Sequence, residues 1–286
     1  MGVMTRAPQR MNRKVCFIAG AGHSGSTLLG LILGSHSDCF YAGEAEKTDY
    51  LGNENVEEIK RVCKICGPRC PIWHNFVVRQ TEDLYEQLAA QTGKPIIVDS
   101  SKDTRWLRKQ INVLGSTTSQ PFLVLLQRDG RAVVNSWIRK YPTRDVRASI
   151  AGWVTQIQRI NALFDSFDGK KTQVHYEELA MEPARVTQEL CAFLGMTYQP
   201  TMLDFFRHEH HPLGGNDGTQ FLVAKAQSGR IEKPYVRLSA RNRYYYADHP
   251  LAIRIDLRWK EELDPAVERL FEEMAGQENA ELEWRA

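Results

Sequence analysis

A glycine-rich turn between an apolar strand and an apolar helix constrains this chain more than any other feature. Residues 15–19 form an apolar run with the length of a buried strand. The turn GAGHSGST follows at residues 20–27, and residues 28–33 are again mostly apolar. The unpaired N–H groups and the dipole of a helix that begins at such a turn both favour a bound anion. The order of strand, turn and helix therefore predicts a phosphate-binding loop.

The turn has the spacing of a P-loop, G-x-x-x-x-G-K-[ST], with one departure. Gly20 and Gly25 occupy the glycine positions and Thr27 the last position, but Ser26 stands where the lysine is expected. In kinases and ATPases that lysine contacts the β- and γ-phosphates. Its absence argues against nucleoside triphosphate chemistry and favours a ligand with a shorter 5′ anion. Taken alone, the stretch also fits an ordinary Gly- and Ser-rich turn before a helix.

Length and composition limit the class of protein. The chain has 286 residues, of which 42% are hydrophobic and 25% charged, and this is enough for one large core. A net charge of +2 gives no indication of a nucleic-acid partner. No uninterrupted apolar run is long enough to span a membrane, and the turn interrupts the stretch that most resembles a signal peptide. We expect a cytoplasmic protein without a transmembrane segment, and the sequence leaves the oligomeric state open.

Three further strands are predicted, with helical patterns between them. These strands cover residues 95–99, 122–126 and 172–176. Strands that alternate with helices predict an α/β protein, a P-loop-like parallel sheet flanked by helices in a single domain. The last helix is predicted to begin at Asp264, which suits an N-cap, and to end at Gly276.

The domain boundaries follow from these elements. We expect the folded domain to cover residues 14–276, between a flexible N-terminal tail of residues 1–13 and a C-terminal tail of residues 277–286. Within the domain, a Cys-rich insertion covers about residues 60–76, and an irregular loop that is rich in Lys and Arg covers about residues 208–246. On its own, this basic segment is also explained as a solvated loop.

Polar residues follow three of the predicted strands. Ligands of open parallel sheets bind at the carboxyl ends of the strands, where residues 23–27, residues 100–102 and Arg128 fall. Ser136 lies about two turns into the helix that follows Arg128. An Arg fork and a hydroxyl so placed can bind a second phosphate. The alternative is that Arg128 pairs with Asp129 and that Ser136 is solvated.

Taken together, these features resemble the sulfotransferase superfamily, whose members use 3′-phosphoadenosine-5′-phosphosulfate (PAPS). The turn looks like the family's 5′-phosphosulfate loop, and residues 126–136 (LQRDGRAVVNS) look like its 3′-phosphate motif. Residues 174–179 are similar to its Tyr-Glu-Asp-Leu segment, and the resemblance covers about residues 14–275. It implies PAPS as donor, 3′-phosphoadenosine-5′-phosphate (PAP) as product, and donor-binding residues at Gly22, His23, Ser24, Gly25, Ser26, Thr27, Arg128, Ser136 and Tyr176.

Within the superfamily, the sequence is most similar to tyrosylprotein sulfotransferases and related bacterial sulfotransferases. It shares the string RDGRA, the order Ser-Gly-Ser-Thr-Leu, and a Gly-Glu pair about twenty residues later. This resemblance implies that Glu44 is the general base, that Lys102 stabilises the transferring group, and that His23 replaces a cationic residue on the sulfate-bridging phosphate. Apart from the family, Glu44 is more simply a solvated loop acid and Lys102 a surface lysine.

The resemblance also implies roles for residues late in the chain. The family's C-terminal loop closes over the 3′-phosphate, which makes Ser228 and Arg230 the expected contacts of the donor here. Small-molecule members of the superfamily use a His as base at another position. His210 and His211 are therefore substitutes for Glu44 or merely loop residues.

The chemistry fits these residue types. Sulfuryl transfer is an in-line displacement that depends on positioning and charge stabilisation. A sulfuryl group carries less charge than a phosphoryl group, so we expect no metal requirement. The acceptor is expected to be a hydroxyl of a small molecule or a peptide. The alternatives are a P-loop kinase of a small molecule, which the missing lysine opposes, and a non-catalytic nucleotide-binding interaction protein.

The Cys-rich insertion has the spacing C-x2-C-x3-C-x3-H at Cys63, Cys66, Cys70 and His74. Four ligands of these types suit a structural zinc ion. The competing interpretation is a loop of free buried thiols, because one tight cluster indicates zinc less strongly than two separated pairs. We assign no metal from the sequence, and both interpretations stay open.

Overall fold

The chain folds around one parallel sheet. A computed structural model describes residues 10–79, 83–230 and 234–285. Five strands form the sheet in the order β2-β3-β1-β4-β5, which confirms the predicted fold class. The strands are β1 (Lys14–Ala19), β2 (Cys39–Gly43), β3 (Ile96–Asp99), β4 (Gln120–Gln127) and β5 (Lys170–His175).

Helices connect the strands and continue after the last one. They are α1 (Ser26–Gly34), α2 (Leu84–Thr92), α3 (Thr104–Leu114), α4 (Gly130–Lys140), α5 (Val146–Asp165), α6 (Tyr176–Met181), α7 (Pro183–Leu194), α8 (Asp217–Ala226), α9 (Ala240–Ala247), α10 (Trp259–Glu262) and α11 (Pro265–Asn279). Short 3₁₀ segments cover Ala45–Tyr50, Glu58–Lys60 and Pro200–Arg207. In the described ranges, no helix is long and apolar enough to cross a membrane.

The central strand β1 fixes the edge at which the polar loops meet. It pairs in parallel with β3, where Phe17 lies opposite Asp99, and with β4, where Ala19 lies opposite Leu125. Its side chains after Lys14 are all buried, as expected of a strand covered on both faces. The carboxyl ends of β1, β3 and β4 therefore lie side by side, and so do the loops that follow them.

Helix α1 packs closely on β2 because two of its residues lack side chains. A Cβ atom at Gly34 would lie 2.5 Å from the Cβ of Tyr41, and a Cβ at Gly30 would overlap the Tyr41 ring. The Tyr41 hydroxyl shares a hydrogen bond of 2.8 Å with Ser100 Oγ. These contacts set the position of Glu44, directly after β2, relative to the loop that precedes α1.

The structure differs from the sequence prediction in three elements. The sequence does not predict β2, because a five-residue strand among polar neighbours carries too short a pattern. The basic segment 208–246 is not irregular throughout, since α8 and α9 lie within it. Helix α11 continues through Gly276 to Asn279, whose side chain accepts the Gly130 N–H at 2.7 Å. This contact with the start of α4 stabilises the extra turn.

Both expected tails contact the domain where the structure describes them. The Arg13 N–H donates to the Pro95 carbonyl at 2.8 Å, and Asn12 is buried. At the other end Leu282 is buried, and the Trp284 N–H donates to Asp129 at 3.0 Å. The rest of the predicted N-terminal tail, residues 1–9, lies outside the described residues.

Candidate active site

The turn after β1 wraps around the start of α1 in a conformation that its sequence permits. Gly25 caps the helix with a φ of 96°, and His23 also has a positive φ, of 71°. The Ser24 hydroxyl donates back to the Ala21 carbonyl at 2.7 Å. A Cβ atom at Gly25 would lie 2.5 Å from the ring of Tyr176, which packs directly against the turn. Only glycine therefore fits at position 25 without displacing Tyr176.

Lys102 supplies an ammonium group to this turn. Its Nζ donates to Ser26 Oγ at 2.6 Å and to the Gly20 carbonyl at 3.3 Å. Ser26 holds the position of the lysine in an ordinary P-loop, so a lysine from the end of β3 reaches the place where the sequence of the turn has none. Desolvation lowers the pKa of Lys102, while the carboxylates of Glu44, Glu46 and Asp99 act in the opposite direction.

Asp99, the last residue of β3, connects the backbone next to Glu44 with the backbone next to Lys102. Its Oδ1 accepts the N–H groups of Ala45 at 3.1 Å and Ser101 at 2.8 Å, and its Oδ2 accepts the Tyr85 hydroxyl at 2.8 Å. The residue is fully buried, and burial raises the pKa of its carboxyl. Sequence reasoning missed this role, because the polar end of a strand does not reveal which N–H groups it will meet.

Glu44, which directly follows β2, is held in place by contacts of its backbone and its side chain. Its backbone N–H donates to the Leu213 carbonyl at 2.7 Å, and its Oε2 lies 3.3 Å from Lys47 Nζ. Thr27, at the start of α1, accepts the Asn216 N–H at 2.8 Å on its Oγ1. The segment from Leu213 to Asn216 therefore contacts both the loop with Glu44 and the start of α1.

Arg128 and Tyr176 form a stacked pair beside the turn. The Arg128 guanidinium lies 4.1 Å from the centroid of the Tyr176 ring and donates to the carbonyls of His23 at 2.9 Å and Asp256 at 3.0 Å. The Asp256 N–H in turn donates to the Tyr176 hydroxyl at 3.1 Å. Arg128 Nε is buried and has no partner among the described residues. A buried donor of this kind suits an anionic ligand.

His23 is neutral in this environment. Burial, with the neighbouring charges of Lys140, Arg128 and Lys102, lowers its pKa to about 3. Its Nδ1 shares a hydrogen bond of 2.6 Å with the Ser136 hydroxyl. A neutral imidazole donates one hydrogen bond and carries no charge, so the structure does not support His23 as a cation. It instead joins the turn to Ser136 of α4.

These residues line one open cleft of about 750 Å³. Of the residues expected from the sequence, the cleft is lined by Gly22, His23, Gly25, Ser26, Thr27, Glu44, Lys102, Arg128, Ser136 and Tyr176. Sequence reasoning missed other lining residues, among them Lys140, Ser239, Asn242, Arg254 and Arg258. Ser239 and Asn242 belong to the basic loop predicted at residues 208–246, whereas Lys140, Arg254 and Arg258 lie outside it.

The structure does not bring Ser228 and Arg230 into that cleft. Helix α8 carries the chain away from it, Ser228 is exposed, and Arg230 lines a second cleft of about 330 Å³. His210 also lines the second cleft, where it is buried and bonded to the Phe205 carbonyl at 2.8 Å. His211 lines the second cleft as well, so neither histidine lines the cleft that Glu44 lines.

The Cys-rich insertion gathers three of its four expected ligands. Cys63, Cys66 and Cys70 lie together, but the histidine beside them is His211, from a distant part of the chain. His74 is exposed, and its Nδ1 bonds the Pro68 carbonyl at 2.8 Å. The local spacing pointed to the nearest histidine, whereas the fold brings His211 to the thiols.

Known proteins that resemble this chain in sequence are sulfotransferases. Residues 16–200 match the model of the Sulfotransferase family. The chain is 22% identical over 219 residues to a Caenorhabditis briggsae protein named as a protein-tyrosine sulfotransferase, with 70% of this chain and 71% of that protein covered. It is also 22% identical over 225 residues to protein-tyrosine sulfotransferase 1 of Danio rerio, with 76% of this chain and 62% of that protein covered.

Solved structures of sulfotransferase domains share the fold. The domain from the curacin biosynthetic pathway is 17% identical with a TM-score of 0.54, covering 96% of this chain and 99% of that one. The domain from the Synechococcus PCC 7002 olefin synthase is 20% identical with a TM-score of 0.54, covering 86% of this chain and 99% of that one. Since the family match spans more than half of the chain, this protein belongs to the sulfotransferase family and is a PAPS-dependent sulfotransferase.

Proposed function

We propose that the protein transfers the sulfuryl group of PAPS to an acceptor hydroxyl, with Glu44 as the general base. One observation carries the proposal: Glu44, Lys102 and the phosphate-binding turn converge on a single cleft, although they follow three different strands. A base, a cation and an anion-binding loop are the three groups that an in-line displacement needs.

The residues present fit a donor with two anionic ends. The N–H groups of the turn and the start of α1 suit the 5′-phosphosulfate. The buried and unpartnered Arg128 Nε, together with the Ser136 hydroxyl, suits the 3′-phosphate. When bound, PAPS supplies the activated sulfuryl group. Tyr176, which stacks on Arg128 and packs against Gly25, would hold both phosphate sites in a fixed relation.

Lys102 and Glu44 have separate tasks in this proposal. As the acceptor oxygen forms its bond to sulfur, the bond from sulfur to the bridging oxygen breaks and PAP leaves with the electron pair. The Lys102 ammonium, 2.6 Å from Ser26 Oγ, would offset the charge that develops beside the turn. The Glu44 carboxylate would take the proton of the acceptor hydroxyl. His23, neutral and bonded to Ser136, would position that serine instead of supplying charge.

The acceptor is the least constrained part of the proposal. Lys47, Ile59 and Lys60 line the cleft, and they belong to the short 3₁₀ segments between β2 and α2, a connection of the kind that can vary on one scaffold. The names of the sequence relatives make a tyrosine hydroxyl in a peptide the first acceptor to test, and small phenols and alcohols the second. The cytoplasmic location and the absence of a nucleic-acid partner stay predictions.

Two measurements test this function. At a ligand concentration about a hundred times Kd, mass action stabilises a protein by about 2.7 kcal/mol. PAP should therefore raise the melting temperature clearly, and adenosine 5′-phosphosulfate, which lacks the 3′-phosphate, should raise it much less. Equal stabilisation by ATP with magnesium would instead support the alternative function, a P-loop kinase of a small molecule.

Turnover is tested by incubation with PAPS labelled at sulfur, together with tyrosine peptides and pooled small hydroxyl compounds. We expect label on one acceptor class. Strong PAP binding without label transfer to any acceptor would favour a non-catalytic nucleotide-binding protein.

A further inference from the structure

We propose that Cys63, Cys66, Cys70 and His211 bind one structural zinc ion. One potential ligand atom from each residue lies within 4.8 Å of all the others. The three cysteines come from the insertion, and the histidine comes from the segment that follows the last 3₁₀ segment. All described cysteines are free, so these thiols are available as ligands.

The spacing of the ligand atoms matches a tetrahedral site. With Zn–S and Zn–N bonds of about 2.3 and 2.0–2.1 Å, tetrahedral angles place two sulfurs about 3.8 Å apart, and sulfur and nitrogen about 3.6 Å apart. In the structure, the Sγ atoms of Cys63 and Cys66 are 3.4 Å apart. His211 Nδ1 lies 3.1 Å from Cys66 Sγ and 3.5 Å from Cys70 Sγ. A small expansion of the cluster would accommodate the ion at its centre.

The surroundings of His211 present the correct nitrogen to the thiols. Its Nε2 lies 3.0 Å from a carboxylate oxygen of Glu209, so Nε2 carries the proton and donates it. Nδ1 is the ring nitrogen that faces Cys66 and Cys70, so it is the one placed to coordinate a metal ion. A carboxylate behind a ligating histidine is the usual support of a zinc site. The Trp73 indole N–H fixes the backbone by donating to the His211 carbonyl at 2.5 Å.

The turn between Cys63 and Cys66 is shaped to bring both thiols to one side. The Gly67 N–H donates to the Cys63 carbonyl at 3.0 Å, and Gly67 has a φ of 71° that favours glycine. The Cys66 N–H points at Cys63 Sγ, 3.5 Å away. An N–H group directed at sulfur stabilises a thiolate more than a thiol, because a charged acceptor makes the stronger hydrogen bond.

The proposed ion would join the insertion to the segment that supports Glu44. Lys64, next to Cys63, donates its N–H to the Pro212 carbonyl at 3.0 Å, and Cys63 forms an isolated β-bridge with Leu213. Leu213 in turn accepts the Glu44 N–H. Four protein ligands leave no open position on the metal, so its role is structural and not catalytic. Its coordination of Cys63 would thereby fix the backbone at Leu213, which accepts the Glu44 N–H.

Metal content is the first test. Protein purified without added chelator should contain about one zinc per chain by elemental analysis. Replacement with cobalt should give the visible absorption and the sulfur-to-metal charge-transfer bands of a tetrahedral thiolate site. A protein that contains no zinc and binds neither metal on reconstitution with its thiols reduced would overturn the proposal. So would a stable disulfide within the cluster after purification in the absence of oxidants.

Two variants identify the histidine ligand. His211→Ala should lose the zinc, whereas the matched control His74→Ala should keep it. Glu209→Gln changes an exposed side chain and should lower zinc affinity by about 10- to 100-fold without unfolding the protein. Zinc retained in His211→Ala but lost in His74→Ala would overturn this assignment. Because these readouts need no sulfuryl transfer, their failure is distinguishable from a failure of the proposed function.

Discussion

Lys102 Nζ donates a hydrogen bond to Ser26 Oγ at 2.6 Å, so the glycine-rich turn receives from the loop after β3 the cation that its own sequence lacks. Lys102 follows Ser101, which Asp99 holds through its N–H and its hydroxyl. The Lys102 ammonium group is thus positioned by the buried carboxyl end of β3, whereas in an ordinary P-loop the lysine belongs to the turn itself. The backbone N–H groups of the turn and the ammonium group beside them are therefore supplied by different segments of the chain.

Replacement of Glu44 should slow turnover without weakening donor binding. Glu44→Gln keeps the shape of the side chain and removes the proton acceptor, so we expect kcat and kcat/KM to fall by about 10²- to 10⁴-fold. The affinity for PAP should barely change, because the donor is held through its phosphates. Steady-state kinetics and PAP titration measure the two effects. The control is Glu54→Gln, which makes the same change at an exposed glutamate outside the residues that line the cleft. Near-normal turnover of Glu44→Gln with chemistry rate-limiting would exclude Glu44 as the base.

Loss of Lys102 should affect both chemistry and the donor. Lys102→Ala removes the ammonium beside Ser26, and we expect kcat to fall by about 10²- to 10³-fold, the usual cost of losing one stabilising group. PAPS binding should weaken as well. Lys109→Ala changes an exposed lysine of α3 and should leave both quantities unchanged. If Lys102→Ala and Lys109→Ala have the same kinetics, Lys102 has no role in transfer.

Arg128 should account for recognition of the 3′-phosphate. A hydrogen bond to a charged group contributes about 1.5–3 kcal/mol, so Arg128→Ala should weaken PAP binding by about 10- to 100-fold. Binding of adenosine 5′-phosphate, which has no 3′-phosphate, should change far less. Calorimetric titration with both nucleotides measures the difference, and Arg105→Ala, which changes an exposed side chain of α3, is the control. An equal loss for both nucleotides would place Arg128 outside the 3′-phosphate site.

Acid should destabilise the protein partly through His23. Its pKa is lowered to about 3 in the native state, whereas an unfolded histidine titrates near 6.5. Between these values the unfolded state binds the extra proton, so His23 makes the free energy of unfolding fall as the pH falls. The slope is at most about 1.4 kcal/mol per pH unit.

This contribution can be isolated with His23→Asn, since asparagine tolerates the positive φ at this position. Urea unfolding of both proteins from pH 7 to pH 4 should give a smaller pH slope for the variant. Identical slopes would show that His23 is protonated in the native state at the same pH as in the unfolded chain.

Sequence reasoning located residues that short stretches encode, and the structure places members of both stretches in one cleft. Gly20, Gly25 and Thr27 define the turn by spacing alone, and Arg128 and Ser136 define the second motif in the same way. It failed where partners come from distant parts of the chain. Nothing near Lys102 in the sequence indicates Ser26, and nothing near Cys70 indicates His211.

The sequence by itself determined the parallel sheet, the glycine-rich turn and the family, because alternating elements and local spacings are set by neighbouring residues. Only the tertiary structure decided that burial and nearby cations lower the pKa of His23, that Ser228 and Arg230 lie outside the cleft lined by Glu44 and Lys102, and that His211 completes the cysteine cluster. Each of these depends on burial or on contacts between segments far apart in the chain. Such contacts form when the carboxyl ends of β1, β3 and β4 are brought to one edge, and no local pattern specifies them in advance.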